Sequence, residues 1–142
     1  VASVRPPVVY GKGCKGNFVL LVKLSKLFFM FPSFKNTKSM IYIDNLCNFM
    51  CELVENGDGG YFHPQNAKHT NIAEIIKEVR AAQGKKTIIF PGFGWAVKLL
   101  MKVSHKAERA FADDYYDLEF SRYRENTYCS VDFKDSIRKT IR

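Results

Sequence analysis

VASVRPPVVYGKGCKGN, residues 1–17, sets the architecture. Val1 to Val9 is rich in β-branched residues and reads as a buried strand. Pro6 and Pro7 have no N–H to donate, so the strand must end, or lie at a sheet edge, near them. Gly11 and Gly13 mark a turn. Asn17 stands where it can cap a helix, and the apolar window NFVLLVKLSKLFFMF (17–31) supplies that helix until Pro32 stops it. Strand, glycine turn and helix in this order make a βα unit.

The same alternation continues along the chain. SMIYI (39–43) reads as a short strand. Asp44 or Asn45 can cap the next helix, whose apolar stripe is Leu46, Phe49, Met50, Leu53 and Val54. Asn56-Gly57 ends it. Tyr61 to His63 is a brief strand. Thr70 or Asn71 caps a helix on Ile72, Ile75, Ile76 and Val79, closed by Gly84. Lys86 to Phe90 is a strand ended by Pro91, and 94–108 is a helix. Residues 127–133 read as strand or extended chain, and Ser136, Ile137 and Ile141 predict a last short helix. Strands alternating with helices give an α/β fold class, and no boundary interrupts 1–142, which reads as a single unit.

With 142 residues, 46% of them hydrophobic, the chain can bury a core. Its net charge of +8 points to an anionic partner. The basic residues are dispersed, and no block of like charges marks a nucleic-acid tail, so nucleic acid is not the expected partner. The window 17–31 carries Lys23 and Lys26 and is too short to span a bilayer; a helix packed on a sheet is a commoner use of such a window than an amphipathic surface anchor, so no membrane partner is expected either. The spacing of Cys14, Cys47, Cys51 and Cys129 with His63, His69 and His105 gives no metal-ligand set. Reduced thiols, two of them packed in a core, are the expectation, which suggests a reducing, cytoplasmic compartment.

Gly11-Lys12-Gly13-Cys14-Lys15-Gly16 spells G-x-G-x-x-G. A dinucleotide fingerprint needs its first glycine directly after a buried strand and an acid about 20 residues on, at the end of a second strand. Here prolines and a tyrosine intervene, and an apolar helix follows. No nucleophile elbow, Walker loop or zinc-protease helix is present. Asp113, Asp114 and Asp117 read as a solvated acidic turn. The chain therefore offers binding groups and no catalytic set. Gly11 to Asn17 is a phosphate-friendly loop, with Lys12 and Lys15 beside a helix start, and Lys38 adds charge that could reach the same place.

VRPPVVYGKG (4–13), Asn17 at a helix start, SMIYIDNLCNFM (39–50), FHPQN (62–66) and VDFKDSIRKT (131–140) together resemble the C-terminal half of the extended short-chain dehydrogenase/reductases, in particular the NAD-dependent epimerase/dehydratases. The resemblance follows chain order over nearly the whole length and thins between 91 and 115. It implies the C-terminal part of a Rossmann-like, NAD(P)-binding fold with the small substrate-binding subdomain. It also implies an N-terminal part, outside these residues, that carries the dinucleotide loop and a Tyr-x-x-x-Lys pair. Tyr10 is not that tyrosine, because Cys14 stands four residues on.

By the resemblance, Pro6, Pro7 and Val8 touch the nicotinamide end of the cofactor, and Asn17, Lys38 and Arg109 hold the diphosphate of a nucleotide-sugar. Lys38 stands where the family commonly has arginine, which keeps the charge and loses the bidentate fork. NAD or NADP is expected in the parent enzyme and not on this chain alone, which is expected to be inactive by itself. Two other readings stay open. One is a stand-alone basic module for nucleic acid or an acidic partner. The other is a truncated remnant acting as a scaffold, with exposed apolar surface favouring homo-oligomers.

Overall fold

The structure is a computed structural model that describes residues 1–105, 108 and 111–142. Among the described residues six short strands pair two by two, every pair parallel. β1 (Ala2–Val4) pairs with β5 (Gly60–Phe62), β2 (Val8–Tyr10) with β4 (Met40–Tyr42), and β3 (Met30–Pro32) with β6 (Ile88–Phe90). The helices are α1 (Asn17–Leu27), α2 (Ile43–Asn56), α3 (Ile72–Ala82), α4 (Gly94–Val103) and α5 (Phe133–Ile141). The α/β expectation holds, and the pairing is parallel throughout the described strands.

The β2–β4 pair divides the interior, because successive side chains of a strand point to opposite faces. Val8, Tyr10, Met40 and Tyr42 face a large core with Phe18 and Leu21 of α1, the Ile72, Ile75, Ile76 and Val79 stripe of α3, and Ile137 of α5. Val9 and Ile41 face the other way, onto Phe49 and Leu53 of α2 and the rings of Tyr123 and Tyr128. A parallel pair covered on both faces reads as an apolar run in sequence, as VVY and MIY do. On the first face α3 packs between α1 and α5.

Local chemistry fixes the helix ends. Asn71 caps α3 by accepting from Glu74 N at 2.9 Å, and Asp132 caps α5 by accepting from Asp135 N at 2.8 Å. Gly57 closes α2 in the left-handed conformation, φ 67°, with its N–H on Leu53 O. Arg80, buried on α3, donates to Ser25 O at 2.7 Å, satisfying a carbonyl in the last turn of α1, and to Lys86 O at 3.0 Å.

Several expectations are corrected. The strand expected over 1–9 is two strands, broken at Arg5-Pro6-Pro7, and each half has its own partner. Gly16, not Asn17, precedes α1, and no side chain caps it. α1 stops at Leu27, and the apolar residues before Pro32 turn into β3, whose ladder partner is β6. Tyr42 stands at the N-cap of α2, so neither Asp44 nor Asn45 caps it. Met50 and Val54 lie exposed, off the stripe. Residues 127–133 form no strand. The thiols expected in a core are not there: Cys47 and Cys51 are exposed, and Cys14 and Cys129 are half-buried.

Candidate functional site

The cleft is built by three elements. Val8 comes from β2, Asn17 opens α1, and Lys38 precedes β4; all three line one narrow cleft floored by Phe18, Met40 and Ile75. Its enclosed volume is about 20 Å³, room for about one water, so anything larger meets its mouth. Asn17 is exposed at that mouth. The first turn of α1 carries no side-chain cap and no acid; Val19 N–H donates back to Gly16 O at 3.2 Å, and the positive end of the helix dipole lies at this turn.

Lys38 is held more tightly than its sequence context suggests. It is 6% exposed. Its N–H donates to Thr70 O at 2.8 Å, and Thr70 N returns a bond to Lys38 O at 3.0 Å. On the other side the backbone of Asp114 runs alongside, accepting from Ser39 N and donating to Thr37 O, while the Asp113 carboxylate accepts from Thr37 N. Burial lowers the pKa of the Lys38 ammonium, and the charges of Asp114 and Asp113 act in the opposite direction. The acidic turn is exposed, as expected, and it also clamps the segment that carries Lys38.

Pro6 and Pro7 are half-buried and do not line the cleft, so of the three residues assigned to the cofactor only Val8 meets Asn17 and Lys38 there. Arg109 lies outside the described residues. Lys12 and Lys15 are exposed in the loop before α1.

The glycine run is explained by the chain's own packing. Gly13 and Gly16 take φ of 82° and 125°, a region that favours glycine. A Cβ on Gly11 would collide with the Ile43 side chain at the start of α2. The close approach that a dinucleotide fingerprint reserves for a pyrophosphate is thus made here to α2.

Reading by motif missed the polar network behind the cleft. Asn66 donates to the Tyr10 hydroxyl at 2.9 Å, accepts from Tyr42 N at 3.2 Å, and donates its own N–H to Met40 O at 2.8 Å. Asn45, fully buried on α2, donates to Val131 O and accepts from Val131 N. Gln65 Nε2 donates to Tyr116 O and to Ser121 Oγ in the 116–121 segment. The FHPQN stretch was visible as a motif, but the partners that give it meaning lie far along the chain.

No family profile matches the chain. UDP-glucose 4-epimerase of Vibrio cholerae is 27% identical over 113 residues, 76% of this chain and 34% of that relative. Among solved structures, UDP-glucose 4-epimerase of Thermus thermophilus in complex with NAD superposes on 99% of this chain and 45% of its own, at 16% identity and a TM-score of 0.60. A GDP-L-fucose synthetase from Naegleria fowleri does so over 99% and 45%, at 12% identity and 0.62. UDP-N-acetylglucosamine 4-epimerase from Bacillus cereus covers 95% and 45%, at 13% identity and 0.58. The chain spans less than half the length of each. In sequence and in fold, then, it is similar to nucleotide-sugar epimerases and reductases, and its resemblance to the extended short-chain dehydrogenase/reductases rests on both.

Proposed function

We propose that this chain forms the nucleotide-sugar-binding portion of an NAD(P)-dependent epimerase or dehydratase, with Asn17 and Lys38 holding the diphosphate. The complete enzyme oxidises a sugar hydroxyl by hydride transfer to the nicotinamide, then returns the hydride or eliminates. The Tyr-x-x-x-Lys pair and the dinucleotide loop that this chemistry requires belong to a part outside these 142 residues, and the chain alone is inactive on this reading. The observation that carries the proposal is the convergence of Val8, Asn17 and Lys38, from three separate elements, on one cleft.

The physics of a diphosphate suits that mouth. An uncapped helix start offers backbone N–H donors, the Asn17 amide adds a neutral donor, and Lys38 supplies a point charge. On this reading the diphosphate lies across the opening of α1, outside a cleft too narrow to admit it, with the sugar toward Val8.

Calorimetric titration of the chain with UDP tests this. Loss of one hydrogen bond to a charged group is expected to weaken binding about tenfold or more in Asn17→Ala and in Lys38→Met. Lys38→Met keeps the buried stem, and circular dichroism checks that it folds. Equal UDP affinity in wild type and both variants, or no UDP binding by a folded wild type, removes the assignment.

A further inference from the structure

Two stretches of the sequence contain no acid at all: Val1 to Ile43, and Val79 to Ala107. Lysine recurs in both. The fold brings them together, because β3 from the first pairs with β6 from the second, extended by Ile88 N to Phe29 O and Ser33 N to Phe90 O. α4 follows β6 directly and contributes one buried residue, Val97.

The face so formed is apolar and exposed. Trp95, Leu99 and Val103 stand at i, i+4 and i+8 on α4, with exposures of 64%, 56% and 80%. Phe29, Ile88 and Phe93 extend the surface across the strands. Lys98 and Lys102 form the adjacent stripe. A groove of about 300 Å³ lies between Lys35, Trp95 and Lys98, and another of about 430 Å³ between Lys98, Lys102 and His105. Glu108, which also lines the second groove, lies 3.3 Å from His105 Nδ1.

We propose that the β3–β6–α4 face docks on an anionic membrane surface, with Trp95, Leu99 and Val103 entering the headgroup boundary and Lys35, Lys98 and Lys102 meeting lipid phosphates. The pairing of an apolar stripe with a lysine stripe matches a bilayer interface, hydrocarbon below and negative charge above. A second copy of the same face would set lysine against lysine, which opposes association. No helix among the described residues is long and apolar enough to cross a membrane, so the chain would lie on the surface. Reading single windows for a span led to the expectation of no membrane partner. This surface arises only when segments far apart in sequence are joined.

Trp95 is the only tryptophan of the chain and reports on the middle of the face. The test is its fluorescence with vesicles of phosphatidylcholine alone and with about 30% phosphatidylserine, a leaflet-like anionic surface. A blue shift is expected with the anionic vesicles, absent with the neutral ones and reversed by salt. At about fivefold per surface lysine, Lys98→Gln with Lys102→Gln should weaken binding about thirtyfold, with the circular dichroism unchanged because both side chains are exposed. Leu99→Gln with Val103→Gln, followed by co-sedimentation, should also lose binding. No shift, an equal shift with neutral vesicles, or unchanged binding by the lysine variant overturns the proposal. So does a vesicle-free shift that grows with protein concentration, which would assign the face to a second copy.

Discussion

Replacing Tyr10 by alanine is expected to lower the unfolding free energy by about 4 kcal/mol, the range for deleting a large buried ring. Tyr10 is fully buried at the end of β2, its ring 5.0 Å from that of Phe18 and 5.7 Å from that of Tyr42. Its hydroxyl joins two further elements. Ser136 Oγ donates its hydrogen to Phe133 O at 2.7 Å, so at the 2.6 Å Tyr10–Ser136 contact the tyrosine is the donor, and it accepts from Asn66. One side chain thus ties β2 to α1, α5 and the FHPQN loop. Urea unfolding of Tyr10→Ala and Tyr10→Phe separates ring from hydroxyl, with Tyr10→Phe expected to cost about 1 kcal/mol. A stability within about 1 kcal/mol of wild type in Tyr10→Ala would show that the core does not depend on this residue.

The same burial predicts a pH dependence. Loss of hydration pushes the Tyr10 pKa from 10 up to about 12, against the hydrogen bonds of Ser136 and Asn66, which lower it. The folded state therefore favours the neutral phenol. That contribution is complete below pH 10 and is lost as pH rises from 10 to about 12, to an extent of about 2–3 kcal/mol. Burial raises the Tyr128 pKa as well. The stability gap of about 1 kcal/mol between wild type and Tyr10→Phe should close and then reverse over this window; a gap that stays constant from about pH 9 to 12 would sink the prediction.

Gln65→Leu is the second large effect, expected at about 3 kcal/mol because it removes a buried amide whose Nε2 joins three acceptors of the 116–121 segment. Gln65 is 2% exposed. Its Nε2 donates to Tyr116 O, Asp117 O and, at 2.6 Å, Ser121 Oγ. Its backbone meets the Tyr128 hydroxyl, which donates to Gln65 O at 3.1 Å and accepts from Gln65 N at 3.3 Å. Leucine fills the volume and offers no donor to the two carbonyls or to Ser121 Oγ. Urea unfolding gives the free energy, and amide exchange at 116–121 should quicken first. Wild-type stability with full protection there would refute the role.

The elements that were legible are those whose determinants are local. The stripe of α3 and its Asn71 cap, the Gly57 stop and the apolar run Met40–Tyr42 lie within a few residues of what they control. β3 was not legible, since an apolar run after a helix has no period of its own, and its strand character is decided by Ile88–Phe90 across the fold. Residues 127–133 have strand composition, yet their backbone is used otherwise. Arg124, Glu125 and Asn126 take positive φ, Cys129 N turns back to Asn126 O, and Val131 bonds Asn45. At the cleft, the sequence places Asn17 at a helix start, as the structure does, though not as its cap. The burial of Lys38 was invisible, because it depends on Asp113 and Asp114 far along the chain.

The interleaved pairing of the strands also orders how the chain can fold. No strand pairs with its neighbour in sequence, so no ladder forms until a long loop has closed. Loop entropy rises with length, and β2 with β4, Val8 against Met40, is the shortest closure of the three. Ala2 against Gly60 and Met30 against Ile88 require longer ones, and β3 lies inside the loop that β2 and β4 close. The central pair, which separates the two cores, is therefore the pairing of least entropic cost. The outer pairs form on a scaffold that already exists, at the slow pace of parallel, non-local topologies.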